Sequence, residues 1–328
     1  MGRGSGVLVR RALRESCAVS EPAISLPAQG PAPVKATFSP LALVKVLRPK
    51  QWTKNLALMA PLVFANRLFV VADIKLALAA TLCFCLLAGC VYVFNDVGDR
   101  EKDRAHPEKR NRPIASGALP VPVALVWGAI CGAGALAVTY HLAMPLFFTC
   151  VAYLVMQAAY TLWLKQVAIL DVMIIAVGFV MRVVAGAYAI AVPVSNWLYL
   201  CTLCLALFLG FCKRRNELML LEGGASAHRA NLLDYSPALL DQLIGTTTAM
   251  TLIAYSLYTM SEETLRVHHT DNLKLTIPFV IYGVFRYLFL VYKRALGGSP
   301  EKILLHDRPM LATVALFSVV SVAVLYFS

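Results

Sequence analysis

The segment Asn95-Asp96-Val97-Gly98-Asp99-Arg100-Glu101-Lys102-Asp103 sets one amide and three carboxylates in the pattern N-D-x-x-D-x-x-x-D, just after the apolar run Val91-Tyr92-Val93-Phe94. If the helix continues, Asp96, Asp99 and Asp103 stand three and four residues apart and stack on one face, with Asn95 four residues before Asp99. Carboxylates so close repel one another, so the spacing implies a bound cation. Hard oxygen donors with no nearby Cys or His pair favour Mg2+ over zinc, making Asn95, Asp96, Asp99 and Asp103 the candidate metal ligands. Mg2+ held this way usually completes its shell with substrate phosphates. The basic loop that follows, His106-Pro107-Glu108-Lys109-Arg110-Asn111-Arg112-Pro113, supplies further phosphate partners. The plainer reading, a solvated charged loop between membrane helices, does not require acids at helical spacing.

The elements that must position these groups lie in a membrane. The chain has 328 residues, 59% hydrophobic and only 15% charged, where a soluble domain is about a quarter charged. The formal net charge of +12 is therefore a matter of topology rather than of nucleic acid. Most of the nine Cys lie inside apolar runs and read as small buried hydrophobes, Cys201 and Cys204 among them despite their C-x-x-C spacing.

Residues 1–38 read as a disordered, basic cytoplasmic tail without the apolar core of a signal peptide. Ser39-Pro40 is a helix start, and 39–48 is expected to be a short interfacial helix with Leu41, Val44 and Leu47 on one face, ended by Pro49. Apolar segments follow near 56–71, 75–95, 119–140, 143–163, 167–192, 195–213, 238–260, 275–293 and 308–327. The expectation is nine transmembrane helices forming one all-α catalytic domain over 39–328. Lys and Arg crowd the tail and alternate loops, whereas the other side carries Arg67, Lys75, Arg266 and Lys274. That bias puts the N-terminus and the Asp motif in the cytoplasm; the expected location is the cell's inner membrane.

The remaining candidates share the same membrane face. Tyr160, Lys165 and Asp171 flank the loop between the fourth and fifth spans, although a boundary Lys is usually an anchor. Lys213-Arg214-Arg215-Asn216-Glu217 ends the sixth span; Lys213 and Glu217 have the spacing of a helical pair, while two Arg suit a phosphate monoester. Arg182 lies mid-span, where a charge is functional by default. Asp171 is eleven residues away, about 16 Å along a helix, so it is a poor partner. A polar cavity holding a ligand phosphate and capture by backbone carbonyls both remain open for it.

Nine spans with N-D-x-x-D-x-x-x-D after the second resemble the UbiA-type membrane prenyltransferase superfamily, over about residues 45–328. The resemblance implies a helical bundle around a polar cavity open to the cytoplasm and to lipid, with Mg2+ on the aspartates holding a diphosphate leaving group. Aromatic prenyltransferases of that superfamily carry a second Asp-rich motif. Here Asp171 is followed four residues later by Ile175, and Lys213-Arg214-Arg215-Asn216-Glu217 stands instead. With Arg48-Pro49-Lys50-Gln51-Trp52-Thr53-Lys54-Asn55 and Asn111-Arg112-Pro113-Ile114-Ala115-Ser116-Gly117, these features are similar to the decaprenyl-phosphate phosphoribosyltransferase branch of cell-wall arabinan synthesis.

By this likeness the substrates are 5-phosphoribosyl 1-diphosphate and a long polyprenyl phosphate, with diphosphate released. Asp96, Asp99 and Asp103 would be catalytic through Mg2+. Lys50, Lys54, Lys109 and Arg112 would assist at the diphosphate, and Lys213, Arg214 and Arg215 would cradle the 5-phosphate. Arg182 or Lys165 would orient the lipid phosphate, with Tyr160, Asp171 and Glu217 completing the substrate-binding set. A homo-oligomer is compatible with this reading. The rival within the fold is an aromatic prenyltransferase taking a prenyl diphosphate and a hydroxybenzoate or quinone precursor. A secondary transporter fits less well, because it predicts broken helices in repeated halves and midplane ionisable groups.

Overall fold

The structure, a computed structural model, describes residues 39–106, 109–222, 230–294, 297–298, 303 and 306–327. The expected tail, 1–38, and the loop residues Pro107, Glu108, Glu301 and Lys302 lie outside them. Every regular element among the described residues is helical, as lipid requires of a chain that must satisfy its own backbone N–H and C=O groups. Besides four short 3-10 turns, these are in order α1 (Pro40–Val46), a 3-10 helix (Pro49–Met59), α2 (Ala60–Phe64), α3 (Val71–Gly98), α4 (Arg100–Ala105), α5 (Val121–Leu142), α6 (Met144–Leu162), α7 (Leu170–Ala189), α8 (Asn196–Glu222), α9 (Pro237–Met260), α10 (Glu262–His268), α11 (Ile277–Arg294) and α12 (Arg308–Phe327).

Seven of the described helices are long and apolar enough to cross a membrane. The chain is thus an all-α, multi-pass membrane protein. Two expected spans differ from the rest. Segment 56–71 is not one helix: it divides into the 3-10 helix, the five-residue α2 and a turn at Asn66, whose φ is 56°. Segment 238–260 is helical as α9, but Asp241, Gln242 and Thr246-Thr247-Thr248 dilute its hydropathy.

Consecutive long helices run antiparallel. Gly128 of α5 packs on Val93 of α3, and Gly132 on Cys90. Arg182 of α7 reaches Tyr153 of α6. Arg214, late in α8, meets Asp171 at the start of α7, and Arg215 meets Asp241 at the start of α9. Tyr292, late in α11, meets the same Asp241, and Arg286 of α11 meets Asp307 just before α12. This alternation brings Asp96, Asp171, Arg214, Asp241 and Asp307 to one end of the bundle. At the other end the Tyr326 hydroxyl of α12 accepts from Leu68 N–H at 2.9 Å and donates to Val63 O at 3.2 Å, tying the last helix to the first segment.

Burial singles out two helices. In α3 and α7, 61% and 56% of the apolar window is buried, against 28% or less in the others. A helix apolar on all sides and covered on most of them is an interior element, and these two carry Asp96, Asp171 and Arg182. From α3, Phe84 and Leu87 pack with Leu58, Leu146 and Tyr153 in one cluster, and Val93 packs with Val46, Leu47, Ile114 and Leu119 in another. On α7, a Cβ added to Gly186 would lie 2.0 Å from the Leu58 carbonyl oxygen. Small residues at such crossings let backbones approach closely. Gly186→Ala should therefore destabilise the bundle by about 3 kcal/mol, the upper end for overpacking, because backbone cannot rotate aside. Gly134→Ala, with open space around it, should cost almost nothing. Thermal unfolding in detergent compares the two.

A helix stands at the expected place as α1, over Pro40–Val46. Ala42, Val46 and Leu47 are buried, whereas Leu41 and Val44 are exposed. Two indoles anchor it: Trp127 donates to Leu43 O at 3.0 Å and Trp52 to Leu47 O at 3.1 Å. They fix the point where the next residue, Arg48, leaves the helix.

Candidate active site

The acidic motif straddles a kink. α3 ends at Gly98, Asp99 takes φ −95° and ψ 9°, and α4 resumes at Arg100. The helical ladder nevertheless carries across, with Asp99 N–H donating to Asn95 O at 2.9 Å and Asp103 N–H to Asp99 O at 2.8 Å. Asp96 and Asp103, two turns apart, therefore share a face. Both are buried, at 2% and 3% exposure, while Asn95 and Asp99 are half-buried.

Two arginines neutralise this face. Arg112 places Nη1 3.1 Å from Asp96 Oδ1 and 2.5 Å from Asp103 Oδ2, so one nitrogen lies between two carboxylates. Arg48 pairs with the same Asp96 Oδ1 and lies 4.7 Å over the Tyr92 ring. Arg48 has φ 52° and ψ 63°, a left-handed conformation that is unfavourable for a non-Gly residue before Pro and is held by its partners. The sequence reading placed Arg48 in a motif but not at the site. The available signal was its position before Pro49 together with the surplus of carboxylates needing cations.

The donor set suits a hard divalent ion. Its carboxylate and amide oxygens match Mg2+ preference, and the position between Asp96 and Asp103 already holds positive charge. Among the described residues no three acids, His or Cys are drawn to mutual metal-binding distance; Arg112 stands between two of them. Of the predicted phosphate partners, Lys54 and Lys109 are half-buried and Lys50 is exposed.

The second group of candidates forms a brace rather than one surface. Asp171 is fully buried and Arg214 is 1% exposed; Arg214 Nε lies 2.8 Å from Asp171 Oδ2. Arg214 also pairs with Glu217. Tyr235 donates its hydroxyl to Asp171 Oδ1 at 2.8 Å and accepts from Ile169 N–H at 2.5 Å. Burial and the neighbouring Asp171 hold the Tyr235 phenol well above its ordinary range, so it stays a proton donor there. Arg215 turns to α9 instead, with Nε 2.5 Å from Asp241 Oδ1 and its guanidinium 4.0 Å over the Tyr292 ring. The expected three-residue cradle is thus split by the helical turn: Arg214 and Arg215 face different acids, and Glu217 takes Arg214. Lys213, Tyr160 and Lys165 are half-buried at the same end.

Arg182 lies deeper and is held by neutral groups. Nε donates to Asn55 Oδ1 at 2.7 Å, Nη1 to Gly178 O at 2.7 Å and Nη2 to Tyr153 OH at 2.9 Å. Its guanidinium sits 5.0 Å from the Tyr153 ring centroid and 5.4 Å from that of Phe179. Among the described residues no carboxylate comes within ion-pair distance of it. Capture by a backbone carbonyl, one of the two readings open for this residue, is what the structure displays, with Asn55 and Tyr153 as partners that local sequence could not reveal. Arg286 of α11 has Asp307 as its partner at 3.1 and 2.9 Å.

Comparison with known proteins narrows the reading. Residues 56–293 match the UbiA prenyltransferase family. The chain is 33% identical over 297 residues to a decaprenyl-phosphate phosphoribosyltransferase of Mycolicibacterium smegmatis, covering 87% of this chain and 93% of that one. The protein of the same name from Corynebacterium glutamicum is 32% identical over 292 residues, covering 85% of each. Among solved structures, a UbiA homolog from Archaeoglobus fulgidus bound to DMAPP and Mg2+ superposes with a TM-score of 0.65 at 20% identity, over 88% of this chain and all of that one. A structure of digeranylgeranylglyceryl phosphate synthase superposes with a TM-score of 0.62 at 17% identity, over 86% of this chain and 98% of that one. At such identities the superpositions speak to the fold alone.

Proposed function

The chain belongs to the UbiA prenyltransferase family, and from that premise we propose that it transfers the 5-phosphoribosyl group of 5-phosphoribosyl 1-diphosphate to a polyprenyl phosphate, releasing diphosphate. The observation that carries this reading is the likeness to decaprenyl-phosphate phosphoribosyltransferases along nearly the whole chain. Acidic and basic groups at one end of the bundle supply the chemistry it needs.

The reaction breaks the bond from sugar C1 to the diphosphate oxygen and forms one from C1 to a lipid phosphate oxygen. That oxygen is already anionic at neutral pH, so no general base is required. Attack opposite the leaving group inverts C1. Asp96, Asp99, Asp103 and Asn95 would hold Mg2+, which when bound supplies charge neutralisation to the departing diphosphate. Lys50, Lys54, Lys109 and Arg112 offer donors to the same diphosphate. Lys213 and Arg215 are our candidates for the 5-phosphate, Arg215 on exchanging Asp241 for it, with Arg214 bracing their helix through Asp171 and Glu217. Lys165 is the better candidate for the lipid phosphate, because Arg182 already spends donors on Asn55, Gly178 and Tyr153. Catalysis is then chiefly positioning and electrostatics.

The polar end faces the cytoplasm in this proposal, as the Lys and Arg bias favours. The bundle counts nine crossings, with the 3-10 segment and α9 as the two beyond the apolar seven, around a polar cavity in the inner membrane. Its product would serve cell-wall arabinan synthesis. Purified protein in nanodiscs should form phosphoribosyl lipid from 5-phosphoribosyl 1-diphosphate and decaprenyl phosphate, read by mass spectrometry. It should form no prenylated product from a prenyl diphosphate and hydroxybenzoate. The opposite pattern would replace this reading with that of an aromatic prenyltransferase.

A further inference from the structure

The geometry points to Arg112 as a resident counter-cation of the acid site: its guanidinium holds Asp96 and Asp103 together until a divalent cation displaces it, and then takes the diphosphate. The inference rests on the proposed function for the identity of that diphosphate.

One nitrogen of Arg112 contacts both carboxylates, at 3.1 and 2.5 Å. A positive centre shared by two acids is the electrostatic role of a bound metal. A divalent cation seated between Asp96 and Asp103 would lie directly against that nitrogen, and repulsion between the two positive charges sets metal and guanidinium in competition for the position. Nor can Asp96 and Asp103, at 2% and 3% exposure, remain ionised and unpaired, since a buried charge needs a partner. The site is therefore built to hold a cation at all times, and the guanidinium and the metal compete for it.

Arg112 is the partner free to leave. Its side chain is 28% exposed and follows a single 3-10 turn, Lys109–Asn111. Arg214, which is also shared by two acids, is 1% exposed and anchored within α8. Arg48 stays behind on Asp96, stacked over Tyr92. A displaced Arg112 would point its planar fork at an anion arriving with the metal. Metal binding and diphosphate binding would then be coupled, each favouring the other, as linkage requires. Metal alone would bind weakly because it must evict Arg112 with nothing for the guanidinium to hold.

Mn2+ titrations followed by electron paramagnetic resonance, on the purified chain in nanodiscs, test this without any turnover. Wild type should bind Mn2+ weakly alone and at least about tenfold more tightly with inorganic diphosphate, within the usual span of coupling energies. Arg112→Gln should bind Mn2+ alone about tenfold more tightly than wild type, and diphosphate should add much less. Arg104→Gln is the control. It removes the same charge from the neighbouring α4, where Arg104 holds Glu101 and the Ala115 carbonyl rather than Asp96 or Asp103, and should leave affinity nearly unchanged. Equal tightening in both variants would overturn the inference, since general electrostatics would then explain it. So would wild type binding Mn2+ equally well with and without diphosphate, a measurement that needs no variant to fold. Coupled metal binding without phosphoribosyl transfer would sink the substrate assignment and leave the role of Arg112 standing.

Discussion

Asp96→Asn should slow phosphoribosyl transfer by about a thousandfold while the protein still inserts and elutes as wild type on gel filtration. That figure is the upper end for loss of one preorganised electrostatic group. Asn preserves the shape of the side chain and removes its charge. Asp96 is where the two arginines meet, since Arg48 and Arg112 both contact its Oδ1. Its loss leaves two guanidinium groups without that partner and, in the proposed function, removes a metal ligand from the helix before the kink. Asp103→Asn should cost less, because Arg112 is its one cationic partner among the described residues. Initial rates at saturating donor and acceptor measure both. Retention of more than a tenth of the wild-type rate by Asp96→Asn would remove this residue from the chemistry.

The second large effect concerns stability. Arg214→Met should lower stability by about 3–5 kcal/mol, the cost of leaving a buried charge uncompensated. Asp171 is fully buried, and the change takes away the cation beside it while the neutral Tyr235 hydroxyl stays. Glu217 also loses Arg214, but at 27% exposure it can hydrate instead. Combining Asp171→Asn with Arg214→Met should recover most of the loss, because replacing both members of a buried pair is often close to neutral. Thermal unfolding in one detergent would rank the three proteins. A double variant as unstable as the single one would contradict the brace. An Arg214→Met protein of wild-type stability with a raised KM for the sugar donor would return Arg214 to the 5-phosphate.

The contrast between these residues explains how far sequence reading reached. Spacing along one helix is local information. The shared face of Asp96 and Asp103 was legible from their numbers, and it survives the kink because the Asp103-to-Asp99 hydrogen bond bridges it. Membrane character and most of the helices were legible too, since hydrophobic run length determines them. Contacts between helices were not. Arg48 and Asp96 are 48 residues apart, Arg182 and Asn55 are 127 apart, and Tyr235 and Asp171 are 64 apart. Nothing in a single periodicity specifies such pairs.

The first span shows a different failure. Its hydrophobicity was read correctly, but a 3-10 helix presents faces at a period of three and satisfies its backbone by tighter bonds. The segment Pro49–Met59 mixes Lys, Gln, Thr and Asn with apolar residues, so composition did not distinguish the two helix types. Asn55 on this segment meets Arg182, and Arg48 just before it meets Asp96, so one short helix links the deep cation to the acid site. The bundle-facing side of α1 likewise depends on distant groups, with Trp52 and Trp127 binding its carbonyls.

The account stands on a divalent cation, held by the acids at the end of α3, neutralising the diphosphate as it leaves. The most direct test follows phosphoribosyl lipid and diphosphate together in nanodiscs while Mg2+ is stripped by a chelator and then restored. Both products should cease to form on chelation, and both should return in equal amounts as Mg2+ is added back. Undiminished formation of the two products in the chelated sample would contradict the account.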